Sequence, residues 1–355
     1  MNNSGYDENS RLGGPVTDSL TRRRFLRNAA GVPALLMTLK ESAMSNGTPT
    51  TGKALHPSYL KLHADGTLAR RAEELRAHYS ECSLCPRDCR VDRTKGEIGK
   101  CRASAKVRVS SAFPHFGEEP PLVGTKGSGT IFLSHCPLRC VYCQNFTISI
   151  DGHGEDISEA TLADAMLGVQ RHGCHNVNLV TPTHYLPSIV SALADAVPRG
   201  LKIPIVYNTG GYEKAEILRL LDGIVDIYLP DFKYWNPETA ARLSARAYNY
   251  PHYAREAFRE MHRQVGILQT DARRVALRGL MVRHLVLPND ASGTREVFRF
   301  IARELSPDHY VNIMRQYRPE HRANEFPEIS RRLTSKEFSQ ALVWAREAGL
   351  TNTAR

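Results

Sequence analysis

Three cysteines stand in one short run, His135-Cys136-Pro137-Leu138-Arg139-Cys140-Val141-Tyr142-Cys143-Gln144-Asn145. Their C-x3-C-x2-C spacing puts three thiolates on one loop, close enough to converge on a single metal centre. The run directly follows an apolar, strand-like stretch over 130–134. A [4Fe–4S] cube takes four ligands, and this loop supplies three. One iron is then open to a substrate or cofactor, an arrangement that suits catalysis; an electron carrier normally closes the fourth position. The competing readings are a zinc knuckle and a set of buried free thiols. Zinc sites usually pair two C-x2-C knuckles and close all four positions, which this run does not do.

A second group precedes it. Cys82, Cys85, Cys89 and Cys101 are spaced C-x2-C-x3-C-x11-C, with Gly96 and Gly99 in the return segment. Four thiols on such a loop make either a closed tetrahedral zinc site or an auxiliary iron–sulfur cluster. In an oxidising compartment two disulfides are the alternative. Seven of the 8 cysteines thus fall into two spaced groups, which reads as metal ligation. The eighth, Cys174 beside His175, reads as a buried thiol rather than a fourth ligand.

The elements that must position these residues alternate. Strand-like runs at 130–134, 176–180, 203–207, 224–229, 280–287 and 310–316 are separated by amphipathic helical runs. The helices are expected from 158 to a stop at Gly173, then over 189–197, 214–221, 297–305 and 335–348, with one more around Leu68, Ala72 and Leu75. Six β-then-α units predict a parallel sheet with right-handed crossovers, either doubly wound or barrel-like. In both, the C-terminal ends of the strands line the site. Thr181, Thr183 and His184 follow the second strand, and Asn208 and Thr209 with Gly210 and Gly211 follow the third. Asp231 and Lys233 follow the fourth, pointing the same way from an extended segment. The alternative for that pair is a salt bridge closing the mouth. His284 and Arg315, on the fifth and sixth strands, are expected to face inward.

Gly127-Ser128-Gly129-Thr130-Ile131-Phe132 before the loop, Tyr142 ahead of the last cysteine, and Cys143-Gln144-Asn145-Phe146 after it resemble the radical S-adenosylmethionine enzymes. Within them the chain is similar to the branch related to pyruvate formate-lyase activating enzyme, from about Cys82 to the C-terminus. The resemblance implies an α/β fold: a partial (β/α)6 barrel over 126–355, an N-terminal extension with the four-cysteine metal-binding prelude over 51–125, and a leader over 1–50. It implies a [4Fe–4S] cluster on Cys136, Cys140 and Cys143, with S-adenosylmethionine on the open iron. Reductive cleavage then gives methionine and a 5′-deoxyadenosyl radical that abstracts hydrogen from substrate. The resemblance places Tyr142, Thr181, Thr183, His184, Asn208, Thr209, Asp231 and Lys233 at the cofactor. The wider superfamily has a Gly-Gly-Glu-Pro-like stretch after the second strand; Thr-Pro-Thr-His stands here, as in the variant of this branch. The implied enzyme is an oxidoreductase that activates a glycyl-radical enzyme, fed by a one-electron donor such as flavodoxin or ferredoxin. A radical enzyme acting on a small molecule or another peptide is one alternative, and a non-catalytic iron–sulfur redox protein another.

The 355 residues carry a formal charge of +10, but Lys and Arg are scattered and no nucleic-acid module is present, so no nucleic-acid partner is expected. No apolar run reaches the length of a membrane span. Thr21-Arg22-Arg23-Arg24-Phe25-Leu26-Arg27, an apolar run over 29–39 and the small residues after it resemble a twin-arginine signal, which exports folded cargo. The expectation is a periplasmic protein. The alternative is a cytoplasmic one with a disordered basic leader, because S-adenosylmethionine and low-potential electrons are cytoplasmic supplies.

Overall fold

The computed structural model describes residues 56–354, so the twin-arginine leader lies outside the described residues. The first described elements are two helices, α1 (Tyr59–Ala64) and α2 (Thr67–Ala77). Leu68, Ala72 and Leu75, whose spacing predicts α2, are its buried residues. After the prelude come β1 (Val107–His115), the short α3 (Pro120–Val123), β2 (Ser128–Leu133), α4 (Phe146–Ser149) and β3 (Glu155–Ile157). The alternation then proceeds through α5 (Glu159–Arg171), β4 (Val177–Val180), α6 (Leu186–Ala196), β5 (Ile205–Thr209), α7 (Ala215–Arg219) and β6 (Ile227–Pro230). The last part holds α8 (Pro237–Leu243), α9 (Tyr250–Val265), β7 (Gln269–Thr270), β8 (Ala276–Leu285), α10 (Thr294–Phe300), β9 (Tyr310–Met314), α11 (Ser335–Ala348) and β10 (Thr353–Ala354). Local chemistry sets several ends. The Ser158 hydroxyl accepts from the Thr161 N–H at the start of α5, and Gly173 takes a φ of 84° after it.

The strands form one sheet in the order β10-β9-β8-β6-β5-β4-β2-β1-β3, with β7 paired to β8. From β2 to β9 every neighbouring pair is parallel. Across these parallel strands the order follows the chain without a reversal, which excludes a doubly wound sheet and gives crossovers of one hand. The sheet does not close, since β3 and β10 stand at its two ends. The fold is a partial barrel built on six α/β units.

Residues side by side in the register share a face. Thr130, Asn178, Val206 and Ile227 are such a row. Val206 and Ile227 pack with Leu229, Ala276, Met281 and Tyr310 around Leu122 of α3, so this face is the barrel interior. Leu122 sits at the N-terminal ends of the strands, where its carbonyl accepts from Asn176 Nδ2 at 2.9 Å. The segment between β1 and β2 therefore plugs one end of the barrel and leaves the other for the site. The expected extension over 51–125 and barrel over 126–355 share this core, with β1 antiparallel to β2 in the same sheet. Among the described residues no helix is long and apolar enough to cross a membrane.

Candidate active site at the C-terminal ends of the strands

The three-cysteine loop leaves β2 at its C-terminal end. His135 and Arg139 take positive φ of 71° and 50°, a conformation uncommon for residues other than glycine, so the loop turns sharply on both sides of Cys136. It is fastened from several directions. The Val141 N–H donates to Leu243 O at 2.9 Å, and Val141 O accepts from the Arg322 N–H at 2.8 Å. Arg87 of the prelude donates to Pro137 O at 2.8 Å, to Ala245 O at 2.7 Å and to Ser244 O at 2.9 Å. Tyr142 is buried, its ring edge-on to Tyr234 and Tyr317.

Each thiol of the loop has a polar neighbour. Cys136 Sγ accepts from the Leu138 N–H at 3.4 Å, Cys140 Sγ accepts from the Ser244 hydroxyl at 3.0 Å, and Cys143 Sγ lies 3.1 Å from Ser149 Oγ. Burial, and then the neighbouring Cys140, push the Cys136 thiol up to about 12. Burial and then Cys140 raise Cys143 as well. Without a cation, burial and the neighbouring sulfur oppose the ionisation of Cys136 and Cys143. A metal centre reverses that, and the hydrogen-bond donors beside the sulfurs stabilise thiolates. Among the described residues no three His, Cys, Asp or Glu side chains are arranged to hold a single ion. A cube receives three thiolates on three different irons, so this donor set suits a cube better than one ion.

The neighbouring strand ends bring two further groups together. In the first, Asp231 Oδ2 accepts from Lys233 Nζ at 2.7 Å and Asp231 Oδ1 from Arg283 Nε at 2.6 Å, while Arg283 Nη2 donates to Asn208 Oδ1 at 2.6 Å. Burial alone would raise Asp231; Arg283 and then Lys233 override it and hold the carboxyl below its usual range. Lys233 is likewise kept protonated, Asp231 outweighing its burial, and Cys140 is close enough to add to the effect. In the second group the Thr183 hydroxyl donates to Glu213 Oε1 at 2.7 Å, Thr209 donates to the same oxygen, and Tyr207 donates to Oε2 at 3.2 Å. Burial pushes Glu213 up to about 7 against those three hydroxyls.

Thr181 holds a φ of 59°, a strained position for a β-branched residue, and its N–H donates to Asn208 O at 2.8 Å. Gly210 is required where the β5 loop meets the cysteine loop, since a Cβ there would lie 2.7 Å from Leu138 Cδ1. His184 is buried and its Nε2 lies 2.8 Å from Ser134 O. A carbonyl only accepts, so Nε2 carries the proton, and burial pushes the imidazole down to about 3.

Asn208, Asp231 and Lys233 thus meet in one network, Thr183 and Thr209 meet on Glu213, and Tyr142 and His184 are held against aromatic and backbone partners. Two expectations are corrected. His284 does not face inward: its Nδ1 lies 2.8 Å from Phe232 O and its Nε2 3.0 Å from Thr294 Oγ1. The Asp231–Arg283 bridge turns Arg283 to the interior instead. Arg315 is exposed, 5.6 Å from the Phe338 ring and bonded to Ser335. Arg283 and Glu213 were not foreseen. The alternation of sides along β8 is the signal that finds Arg283; nothing local marks Glu213.

The prelude folds against this end of the barrel. All eight cysteines are free thiols, with Cys82, Cys85 and Cys101 buried. The Cys82 N–H donates to Val91 O at 2.9 Å and Cys82 O accepts from the Arg90 N–H at 3.0 Å, closing a tight turn around Cys85 and Cys89. Gly99 brings the return segment in, a Cβ there lying 3.0 Å from Cys89 Sγ. Beside them Arg93 is 2 % exposed, with its guanidinium 4.2 Å from the Tyr79 ring. It donates to His184 O at 2.7 Å and to Ser104 O, and its Nε has no partner. Cys174, by contrast, precedes β4 and lies at the opposite end of that strand from the cysteine loop.

The sequence profile of the radical S-adenosylmethionine superfamily matches residues 130–268, from β2 to the segment before β7. An uncharacterized protein of Methanocaldococcus jannaschii is 35% identical over 282 residues, covering 77% of this chain and 76% of the relative. Among solved structures, the crystal structure of HydG, a maturase of the [FeFe]-hydrogenase, aligns with 61% of this chain at a TM-score of 0.39 and 12% identity. The chain spans about half (48%) of that structure's length.

Proposed function

Because this chain belongs to the radical S-adenosylmethionine superfamily, we propose that Cys136, Cys140 and Cys143 hold its [4Fe–4S] cluster and that Asn208, Asp231 and Lys233 bind S-adenosylmethionine beside it. When bound, cluster and cofactor supply a 5′-deoxyadenosyl radical by one-electron cleavage. Lys233 uses one N–H on Asp231 and has two more for a carboxylate. Arg283 fixes Asp231 and Asn208 in place, and the hydroxyls on Glu213 hold the β4 and β5 loops together. The observation that carries the reading is the trio of thiols, Cys140 buried and Cys136 and Cys143 half-buried, next to the Asp231–Lys233 pair. Its test is anaerobic reconstitution with iron and sulfide, then reduction by dithionite or by reduced flavodoxin. Methionine and 5′-deoxyadenosine should appear in equal amounts. A fully reconstituted protein that forms neither would overturn the reading.

For the substrate, the cysteine-loop sequence supports activation of a glycyl-radical enzyme. The expected sign is a glycyl doublet in the electron paramagnetic resonance spectrum when such an enzyme from the same organism is added. Its absence alongside active cofactor cleavage would favour a small molecule or another peptide.

The prelude is proposed as a second metal centre, either an iron–sulfur cluster or a zinc ion around which the four thiols close in from the arrangement described. Arg93 supports it: a buried guanidinium without a carboxylate partner is costly, and Cys101 and Cys82 are charges that stabilise it once ionised. Replacing Cys136, Cys140 and Cys143 together by alanine should leave metal bound at Cys82, Cys85, Cys89 and Cys101. A metal-free protein with four alkylatable thiols, or with two disulfides, would count against it.

Export by the leader is proposed on its twin arginines. Changing Arg22, Arg23 and Arg24 to lysine should retain the protein in the cytoplasm of its native host. Equal fractionation of variant and wild type would return the leader to a basic tail without an address.

A further inference from the structure

The interior of the barrel holds a polar layer that the cofactor side does not use. Arg283 forms its boundary: Nε and Nη2 hold Asp231 and Asn208, and Nη1 points to Glu118 Oε2 at 3.5 Å. Glu118 and the adjacent Glu119 lead into α3, so Leu122 fixes them from below as the plug. Glu119 is 5 % exposed; its Oε1 accepts from Asn312 Nδ2 at 2.9 Å and its Oε2 has no partner. Asn178, fully buried on the same interior face, lies against Glu118 but makes no hydrogen bond of good geometry through either Oδ1 or Nδ2.

Unpartnered buried amide and carboxylate atoms are costly, and they cluster here at one place in the barrel. The imbalance has a direction. Among the described residues Arg283 pairs with Glu118 and Asp231, Lys233 pairs with Asp231, and Glu119 has no ion pair, so three carboxylates share two cations. Acceptors exceed donors, and burial with Glu119 and Asp231 nearby raises Glu118 despite Arg283. The same interior face also carries aromatic rings. Phe113 on β1 pairs with Thr130 and so shares the interior face; its ring stacks on Phe132 at 5.8 Å, and His115 meets Phe132 edge-on at 6.0 Å. Half-buried π-faces on the face that carries the carboxylates suit a nitrogen cation.

We propose that Glu118, Glu119 and Asn178 are the floor of the substrate site and recognise a substrate group bearing positively charged nitrogen, an alkylammonium or guanidinium. This rests on the radical reading for the word substrate, but not for binding. The cation adds the missing charge, donates to Glu119 Oε2 and Asn178 Oδ1, and stands across Arg283 from the cofactor residues. The group belongs either to a small amine or to a Lys or Arg side chain of a peptide.

The test is calorimetric titration of the reconstituted protein with saturating S-adenosylmethionine and no reductant. The probes are n-butylammonium, n-butylguanidinium, n-butanol and butyrate, with acetyl-Gly-Lys-Gly-amide to separate a peptide source from a free amine. One or both cations should bind at least tenfold more tightly than the alcohol and butyrate. Glu119→Gln, which keeps an acceptor for Asn312, should weaken them about tenfold. Asn178→Asp, which sets a further carboxylate beside Glu118, should tighten them in protein whose melting temperature shows that it is folded. Equal binding of butanol, no change in both variants, or cation binding seen only without S-adenosylmethionine overturns the proposal. Addition of reductant to the wild type then separates the two readings: absent 5′-deoxyadenosine with intact cation binding sinks the radical reading alone.

Discussion

Cys140→Ala abolishes 5′-deoxyadenosine formation, lowering it by at least about a thousandfold, the equivalent of roughly 4 kcal/mol. Cys140 is the middle ligand of the trio, buried, bonded to Ser244 and close to Lys233. Two remaining thiolates cannot retain a cube that needs three, so the loss is one of the cluster and not of affinity. The loop itself stays fastened, because Val141 and Arg87 hold it through backbone atoms. The variant should therefore melt within a few degrees of wild type while losing the cluster's visible absorption. Equal 5′-deoxyadenosine yields from variant and wild type after reconstitution would remove the three-cysteine loop from the chemistry.

Asp231→Ala should be the most damaging single change to stability. It leaves Lys233 and Arg283 as neighbouring, largely desolvated cations with no carboxylate between them, a loss of about 3 kcal/mol. Asp231→Asn keeps an acceptor but not the charge and should fall between the two. The carboxyl is held below its usual range in the fold, so its stabilisation is complete above the unfolded value near 4 and is lost as pH falls through the lower folded one. The gap between wild type and Asp231→Ala in urea melts should be widest near neutral pH and narrow in acid. A gap under about 1 kcal/mol at pH 7 would mean that the two cations find other partners.

The barrel was legible because its strands are short apolar runs at regular intervals, and the run at 335–348 coincides with α11, where Thr334 and Glu337 form a capping box. The site was legible where chemistry follows spacing, as in the cysteine loop and Asp231-Phe232-Lys233. It was not legible where a side is decided by register. A one-residue difference along β8 exchanges Arg283 for His284 at the interior. Strand β1 was missed because Ser110, Ser111 and Pro114 break its alternation and a bulge falls between Val109 and Ser111. Helix α9 was missed although Tyr250, Ala254, Ala257, Phe258, Met261 and Val265 stand at helical spacing, small and aromatic residues diluting the pattern. Glu118 and Glu119 carry no local signal of their place; only the Leu122 plug takes them inside.

Arg87 joins three stretches of chain that are synthesised at different times. Its guanidinium links residue 87 to the thiol loop at Pro137 and to the turn at Ser244 and Ala245. A nascent chain has all seven spaced cysteines well before it has that turn, so the thiol loop emerges from the ribosome unlatched. The Ser244 hydroxyl that meets Cys140 arrives with the same turn. Cofactor loading onto a finished latch therefore waits until that turn has been synthesised, and a fragment ending before Ser244 would carry every cysteine of the loop yet lack the fastening that holds them in place.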